Sequence, residues 1–397
     1  MINLWFLLFF SNILAWLTIV PFVDKNLSPF DRFSRMKCVH RIFSAREKIF
    51  SFLHLKSSKV NADVVALNEI ISLYHPTIKM NNGPNDKNIE QLRYNMNQIL
   101  VSLLPTRTSS CIIENETIDY DQGHVKINFI RNSRLNHWKS ADRPFILYLH
   151  GGGFLYGDNE TYFGYECSLS DQLNMIVIHV DYGLLPQQSL TKILDEIMIV
   201  YKFLLKFHVN LDQRLIGIGD SSGGLIWIHL LQQLIKENQK LPRAVVLNSP
   251  WTNFQLKKFD WSLNQNDLIN IEMAFFLRSV TIFDSQGSFK LTNEEKYEIN
   301  PISDKFERFP PIYISVGTSD IFFHEIQIMA RKIRRTGAEI FVDISHGSMH
   351  NFALFHLWTD DARCVQKRFS RWINQRLNQP WEISWQNSFL PISDCKS

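Results

Sequence analysis

The pentapeptide Gly219-Asp220-Ser221-Ser222-Gly223 decides how this chain is interpreted. It lies between an apolar run at residues 215–218 and a longer apolar stretch at residues 225–235. This pattern predicts a buried strand, a sharp turn and a helix, with small residues around Ser221 that let the chain turn tightly enough to expose a serine hydroxyl. Glycine and serine are also common in ordinary turns, so an ordinary turn is the alternative interpretation of the string alone. Ser221 is therefore the first candidate nucleophile.

A second glycine-rich stretch, His150-Gly151-Gly152-Gly153-Phe154, follows an apolar run at residues 145–149. The run predicts a buried strand that ends in a flexible loop. Acyl transfer passes through an oxyanion, which backbone N–H groups held in advance in the right direction can stabilise. An ordinary loop hinge is the alternative interpretation of the glycine triplet. We predict an oxyanion hole built from the N–H groups of Gly151, Gly152, Gly153 and Ser222.

A serine nucleophile needs a base, and the base needs a carboxylate that orients it. His346 and His350 both follow a predicted strand at residues 340–344. We favour His350 because it lies at the far end of the loop, nearer the next element. His346 is the alternative.

Asp320 is the predicted orienting carboxylate, because it lies just past a predicted buried strand at residues 312–316. Glu325 competes with it, but helix capping explains a glutamate that opens a helix. Asp343 also competes and falls inside a predicted strand. The resulting chain order of serine, aspartate and histidine is that of an α/β-hydrolase triad.

The sequence resembles the hormone-sensitive-lipase branch of the α/β-hydrolases, which includes arylacetamide deacetylases, neutral cholesterol ester hydrolases, fungal steryl deacetylases and microbial carboxylesterases. The resemblance spans roughly residues 140–377. It implies an α/β-hydrolase fold and a serine hydrolase with Ser221, Asp320 and His350 as its triad. The matching stretches are His150–Phe154 with Gly157, Val180-Asp181-Tyr182, Gly219–Gly224, Ser249-Pro250-Trp251, Pro310-Pro311, Asp320 and His350-Asn351-Phe352.

Three positions depart from that branch. Ser222 stands where alanine is usual, and His324 replaces a second acid after the catalytic aspartate. Residues 183–187 read Gly-Leu-Leu-Pro-Gln where Arg-Leu-Ala-Pro-Glu is common. The missing arginine and glutamate remove a local ion pair that would brace the active-site wall, so we expect the pocket to be less stable there. None of these changes touches the triad.

Apolar runs alternate with amphipathic helical stretches through the central part of the chain. This alternation predicts a mostly parallel sheet with helices on both faces, and active residues at the carboxyl ends of its strands. The length of 397 residues and the hydrophobic content of 45% are sufficient for a large core. The predicted strands cover residues 145–149, 175–180, 215–218, 244–247, 312–316 and 340–344.

Four segments are predicted along the chain. Residues 1–23 form a transmembrane anchor, and residues 24–105 form a helical cap and linker region. Residues 106–379 form the α/β-hydrolase catalytic domain, interrupted by a cap insertion at about 251–301, and residues 380–397 form a tail. The insertion is rich in apolar side chains, which line an acyl pocket or form the core of the cap itself. These side chains are Phe254, Trp261, Leu263, Ile269, Phe275, Phe276 and Leu277.

The anchor prediction rests on residues 2–23, which contain no charged side chain. A helix of this length can cross the ~30 Å hydrocarbon core of a bilayer. A cleaved signal peptide is the alternative, although a basic start and a clear cleavage site are missing. Basic residues that follow the segment favour a cytosolic catalytic part. The sequons at Asn26, Asn115 and Asn159 and the resemblance favour the lumen of the endoplasmic reticulum, which we prefer.

Several function classes are excluded or disfavoured. A net charge of +3 without a basic run does not indicate nucleic-acid binding. Five widely spaced cysteines indicate neither a disulfide framework nor a metal site, and motifs for phosphate or dinucleotide binding are absent. We therefore predict a cofactor-independent serine esterase for small apolar carboxylic esters. A non-catalytic ligand-binding protein on the same fold is the alternative.

Overall fold

A computed structural model of the chain describes residues 28–52, 60–73, 86–121, 123–135, 143–207, 210–253, 267–282 and 306–378. The predicted anchor at 1–23 and the predicted tail at 380–397 lie outside the described residues. So do Phe254, Trp261 and Leu263 of the predicted cap insertion. Among the helices that the structure describes, none combines the length and the apolar character needed to cross a membrane.

An eight-stranded sheet forms the centre of the described residues. Its order is β1-β2-β4-β3-β5-β6-β7-β8, with parallel pairing from β4 through β8 and antiparallel pairing at β1 and β2. The prediction of a mostly parallel sheet is thereby confirmed. The strands are β1 Cys111–Tyr120, β2 Gly123–Asn132, β3 Phe145–Leu149, β4 Ile176–Asp181, β5 Leu215–Asp220, β6 Ala244–Asn248, β7 Ile312–Gly317 and β8 Ile340–Ser345.

Helices surround this sheet and precede it. Every residue of β3, β5, β6 and β7 is buried, as expected for parallel strands covered on both faces. The helices are α1 Pro29–Phe52, α2 Ala62–Leu73, α3 Asp86–Leu103, α4 Asn159–Leu173, α5 Leu190–Phe207, α6 Leu211–Arg214, α7 Ser222–Lys236, α8 Ile271–Ile282, α9 Phe323–Arg335 and α10 Asp360–Asn378, with a 3₁₀ turn at Phe352–Phe355.

The hairpin of β1 and β2 was not among the predicted strands. It pairs antiparallel in continuous register from Cys111 opposite Asn132 to Tyr120 opposite Gly123. β1 lies at the edge of the sheet, so most of its residues are partly buried or exposed and it lacks the long apolar run that marks β3 to β8. An apolar-run criterion therefore finds the central strands and misses this edge.

The expectation drawn from the cysteines needs a correction. Cys111 at the start of β1 and Cys167 in α4 form a disulfide across 56 residues of sequence. Sequence spacing could not indicate this bond, because the packing of α4 against β2 brings the two residues together. Cys38, which is exposed on α1, is a free thiol.

The three N-terminal helices α1, α2 and α3 pack onto the sheet domain. The Asn68 side chain donates to the Gly347 carbonyl at 3.1 Å, and the Trp358 indole N–H donates to the Leu103 carbonyl at 2.6 Å. Lys37 on α1 donates to the carbonyl of Leu357. The helical character expected for residues 24–105 is thus observed in the described part of that segment, whereas the domain boundaries remain predictions.

Candidate active site

The turn between β5 and α7 places Ser221 in a strained backbone conformation. Its φ is 50° and its ψ is −116°, outside the regions that residues with side chains ordinarily adopt. Its backbone is held on both sides, since its N–H donates to the Asn248 carbonyl and its carbonyl accepts from the Trp251 N–H, each at 2.9 Å. A side chain at Gly223 would come within 1.9 Å of the Leu149 carbonyl, so glycine lets the helix start against β3. This geometry is a nucleophile elbow.

Ser221, His350 and Asp320 lie in one hydrogen-bonded chain. The Ser221 hydroxyl donates to Nε2 of His350 at 2.9 Å. Nδ1 of His350 donates to the Asp320 carboxylate, with distances of 3.1 and 3.2 Å to its two oxygens. All three side chains are buried. The structure therefore brings together the three residues predicted as nucleophile, base and orienting acid, which come from the ends of β5, β8 and β7.

The competing candidates lie outside this hydrogen-bonded chain. His346 lies in the turn directly after β8 and is exposed, whereas His350 is fully buried. Glu325 lies in the first turn of α9, where its carboxylate accepts from the Asn253 amide at 3.3 Å. Asp343 lies within β8 and accepts from the Arg368 guanidinium at 2.6 and 2.9 Å. None of these contacts joins the Ser221 chain.

The electrostatic surroundings of His350 favour its role as a base. Burial alone lowers the pKa of this imidazole, but the carboxylates of Asp320, Asp267 and Asp220 outweigh burial and raise the pKa above its ordinary value of 6.5. The neutral form is the one that can accept a proton from serine. Activity that depends on His350 should therefore fall as the pH drops through this raised pKa.

The glycine loop contributes fewer oxyanion donors than predicted. The Gly151 N–H is hydrogen-bonded to the Asp220 carboxylate, and a side chain at Gly151 would meet that carboxylate at 2.2 Å. The Gly151 N–H therefore supports the loop, and the prediction that it is an oxyanion donor is wrong. Gly152 and Gly153 have φ values of 113° and 58°, which favour glycine. The N–H groups of these two residues and of Ser222 remain the candidate donors.

Asp220 is a buried carboxylate behind the oxyanion loop that sequence analysis did not single out. It accepts from the Tyr148 hydroxyl at 2.7 Å, from the Tyr162 hydroxyl at 3.4 Å and from the Asn351 amide at 3.0 Å. Burial raises the pKa of Asp220 to about 6, although the hydrogen bonds from Tyr148, Gly151 and Tyr162 oppose the shift. The aspartate of the pentapeptide thus ties the elbow to the loop that carries His350.

The wall next to the glycine loop is braced from a distant helix. Arg93 on α3 donates to the carbonyl of Leu155 at 2.7 Å and to that of Leu185 at 2.9 Å. One turn later on the same helix, the Asn97 side chain accepts the Gly157 N–H at 2.9 Å. The loop arginine that is missing at residues 183–187 was expected to leave the active-site wall less stable. Arg93 supports this wall instead, and no local sequence motif indicates its role.

We expect Arg93→Lys to lower kcat/KM about tenfold, because lysine cannot span two carbonyls as a planar guanidinium does. The free energy of unfolding should also fall, by about 2 kcal/mol, the scale of charge-assisted hydrogen bonds. Aryl-ester kinetics and denaturant titration provide the measurement. Arg134→Lys is the matched control, because Arg134 and Asp171 form an ion pair whose side chains are 71% and 65% exposed. Equal behaviour of the two variants would contradict this role for Arg93.

A protein-family model described as the alpha/beta hydrolase fold matches residues 146–354, more than half of the chain. Among curated proteins, an esterase of Acinetobacter venetianus is 24% identical over 242 residues, covering 60% of this chain and 77% of that protein. Esterase LipU of Mycobacterium tuberculosis is 27% identical over 213 residues, covering 53% of this chain and 70% of its own length.

Solved structures show the same fold. An esterase from the bacterial hormone-sensitive lipase family superposes with a TM-score of 0.67 at 18% identity, covering 81% of this chain and 100% of that one. A hormone-sensitive lipase from a metagenome library gives a TM-score of 0.65 at 19% identity, covering 78% and 98%.

The chain belongs to the α/β-hydrolase fold family. The predicted resemblance to hormone-sensitive-lipase-like members of that family is confirmed. Assignment to the arylacetamide, cholesterol-ester or steryl branch stays a prediction.

Proposed function

We propose that the protein is a serine hydrolase that cleaves apolar carboxylic esters through an acyl-serine intermediate. The ester-hydrolase class has the support of relatives named esterase and carboxylesterase. The observation that carries the mechanism is the continuous hydrogen-bonded chain from Ser221 through His350 to Asp320 beneath a glycine loop.

In the proposed first step, the Ser221 oxygen attacks the ester carbonyl carbon while His350 Nε2 takes the hydroxyl proton. The Asp320 carboxylate keeps the imidazole in the correct tautomer and stabilises its protonated form. Collapse of the tetrahedral intermediate breaks the bond to the alcohol, which leaves with the proton from His350. Water then repeats the sequence on the acyl-serine, releasing the acid and restoring the Ser221 hydroxyl.

The negative charge of the tetrahedral oxygen is assigned to the backbone N–H groups of Gly152, Gly153 and Ser222. Buried donors held in place are worth more here than in water, because the low local dielectric strengthens each hydrogen bond. Leu277 on α8 packs against Gly153, which supports an apolar environment at this loop. Loss of a single such donor typically reduces turnover by 10²–10³-fold.

Apolar substrates are proposed because aromatic side chains surround the triad. The Phe322 ring lies edge-on to His350, with centroids 5.2 Å apart, and stacks at 5.8 Å with Trp251. Phe154, at the end of the glycine loop, lies 6.1 Å from the same indole. Such a site suits an acyl group or alcohol without charge. Acetyl esters of sterols or other lipids, and arylacetamides, are the finer substrate classes proposed.

The deciding experiment is a substrate panel assayed with detergent-solubilised full-length protein. The panel should contain aryl acetates, medium-chain aryl esters, a steryl acetate and an arylacetamide, each run beside Ser221→Ala. Hydrolysis of an ester by the wild type but not by Ser221→Ala supports the proposal. The order of the wild-type rates across the panel identifies the substrate class. A folded wild-type protein that cleaves no member of the panel would contradict it.

We also propose a single-pass membrane protein of the endoplasmic reticulum with its active site in the lumen. The uncharged segment at residues 2–23 supports the anchor. The Cys111–Cys167 disulfide supports the lumen, because disulfides persist in oxidising compartments and are rare in the cytosol. Asn115 is exposed on the edge strand β1 within a sequon, so a glycan can be accommodated there.

Glycosylation provides the test of orientation. We expect Asn115→Gln to remove one glycan. The variant should therefore migrate faster on a gel than the wild type, and treatment with endoglycosidase H should abolish this difference. Asn159→Gln should change nothing, because the Asn159 side chain is half-buried and hydrogen-bonded at 3.4 Å to Asn128 and to Asp181. A protein without glycans whose catalytic part is digested by protease outside intact microsomes would contradict the lumenal assignment. Alkaline extraction separates an anchor, which stays in the membrane, from a cleaved signal peptide.

A further inference from the structure

Asp267 is a fully buried carboxylate with an unusual set of partners. Its Oδ1 accepts the backbone N–H of His350 at 2.6 Å and that of Leu268 at 2.7 Å. Its Oδ2 accepts the backbone N–H of Ile321 at 2.7 Å. Each of its two carboxylate oxygens is thus engaged with the main chain, and two of the three donors come from other segments.

Those two donors belong to the loops that carry the base and the acid. One is the N–H of His350 itself, in the loop after β8. The other is the N–H of Ile321, the residue directly after Asp320, in the loop after β7. A single carboxylate therefore sets the distance between the two loops, and with it the alignment of the imidazole against its orienting acid. Hydrogen bonds from N–H groups to an ionised acceptor are short and strong, which suits this function.

The segment that supplies Asp267 belongs to the predicted cap insertion. Asp267 precedes α8, and the same helix places Leu277 against Gly153 of the glycine loop. Residues 267–282 therefore contact both the triad loops and the oxyanion loop. The insertion thus reaches the catalytic machinery by two independent contacts.

We propose that Asp267 is a positioning residue, supplied by the cap insertion, that holds His350 and Asp320 in their reactive alignment. This inference rests on the proposed serine-hydrolase function. Asp267 binds the backbone of His350 and of Ile321, the neighbour of Asp320, so it acts through His350 and Asp320.

The charge of Asp267 gives this role a signature that a purely structural residue lacks. The carboxylates facing His350 are Asp320 from the end of β7, Asp220 from the end of β5, and Asp267, and each raises the pKa of His350. Burial, followed by the neighbouring Asp320 carboxylate, raises the pKa of Asp267 itself to about 7. Removing the Asp267 charge lowers the pKa of His350, so neutral imidazole persists to lower pH.

The test compares Asp267→Asn with wild type in full pH profiles of kcat and kcat/KM on an aryl ester. Asparagine has the same shape but keeps only one acceptor oxygen and places an amide N–H₂ against backbone donors. We expect kcat to fall roughly 10–100-fold with KM changed less than about threefold, as for an interaction that matters mainly in the transition state. The acidic limb should move to lower pH by about half a unit.

Asp343→Asn is the matched control. Asp343 is also a buried carboxylate, held by Arg368 and Tyr313, but lies in β8 and serves packing. Its variant should lose thermal stability without moving the acidic limb. Asp267→Glu keeps the charge but displaces it, so it should lower kcat while leaving the acidic limb in place. This variant decides the matter if Asp267→Asn does not fold.

Wild-type kcat and an unmoved acidic limb in a folded Asp267→Asn protein would overturn the inference, as would wild-type kcat in Asp267→Glu. An acidic limb shifted equally in Asp343→Asn would overturn it too, because the shift would then be unspecific. These results differ from failure of the proposed function, in which the wild type itself shows no serine-dependent hydrolysis.

Discussion

Ser221→Ala is expected to abolish covalent labelling by a fluorophosphonate probe and to lower kcat/KM for a short-chain aryl ester by roughly 10⁴-fold or more. The probe reacts only with an activated serine, and the Ser221 hydroxyl is the group that donates to His350 at 2.9 Å. Alanine removes the nucleophile while leaving the elbow backbone in place. In-gel fluorescence of the probe and steady-state kinetics of ester hydrolysis, both on purified protein, provide the measurements.

The control for this experiment is Ser168→Ala, a serine of α4 that lies 3.5 Å from Nε2 of His356. It should label and turn over as the wild type does. Labelling that survives Ser221→Ala, or a folded wild type that never labels, would contradict the esterase assignment. The second of these results would favour the alternative of a non-catalytic ligand-binding protein on this fold.

His350→Ala should lower hydrolysis of the same ester by roughly 10⁴-fold, whereas His346→Ala should keep most of it. The two histidines are only four positions apart in sequence. The same substitution at each of them therefore shows which position is needed for catalysis. His350 is fully buried between Ser221 and Asp320, and His346 is exposed at the turn after β8. Steady-state kinetics, with circular dichroism as the check on folding, measure both variants.

The reverse result, with His346 essential and His350 dispensable, would show that the hydrogen-bonded chain is not the working one. Loss of activity in both variants with intact folding would also count against the assignment, because it would make the exposed histidine equally necessary. Fluorophosphonate labelling of Ser221 should also be lost in His350→Ala, since the serine remains but the base that activates it is gone.

Much of the site could be predicted because its parts follow strands with strong local signals. Ser221 and Asp320 each lie at or just past the end of a long apolar run, as does the loop of His350. In a parallel sheet these ends meet at one edge, so motifs far apart in sequence converge. The choice between His350 and His346 depends on the tertiary structure, because both occupy the same short loop and only burial and partners separate them.

Other features had no local signal. The edge strand β1 and its neighbour β2 lack a long apolar run, and the Cys111–Cys167 disulfide depends on how α4 packs. Gly151 was predicted as an oxyanion donor, but its N–H serves Asp220, a partnership that only three-dimensional proximity reveals. The pairing of Arg93 with the carbonyl of Leu155 spans 62 residues. Sequence alone contains no periodicity from which such a contact follows.

The amino-acid sequence by itself determined the fold class, the elbow at Ser221 and the strand ends from which the acid and base come, because hydrophobic periodicity and small-residue turns act over a few neighbouring residues. Only the tertiary structure decided that the Gly151 N–H binds Asp220, that Arg93 binds the carbonyls of Leu155 and Leu185, and that Asp267 joins the two triad loops. These contacts arise from packing between segments distant in sequence. A buried polar group must form its hydrogen bond with a group that the fold places beside it, because water cannot reach it.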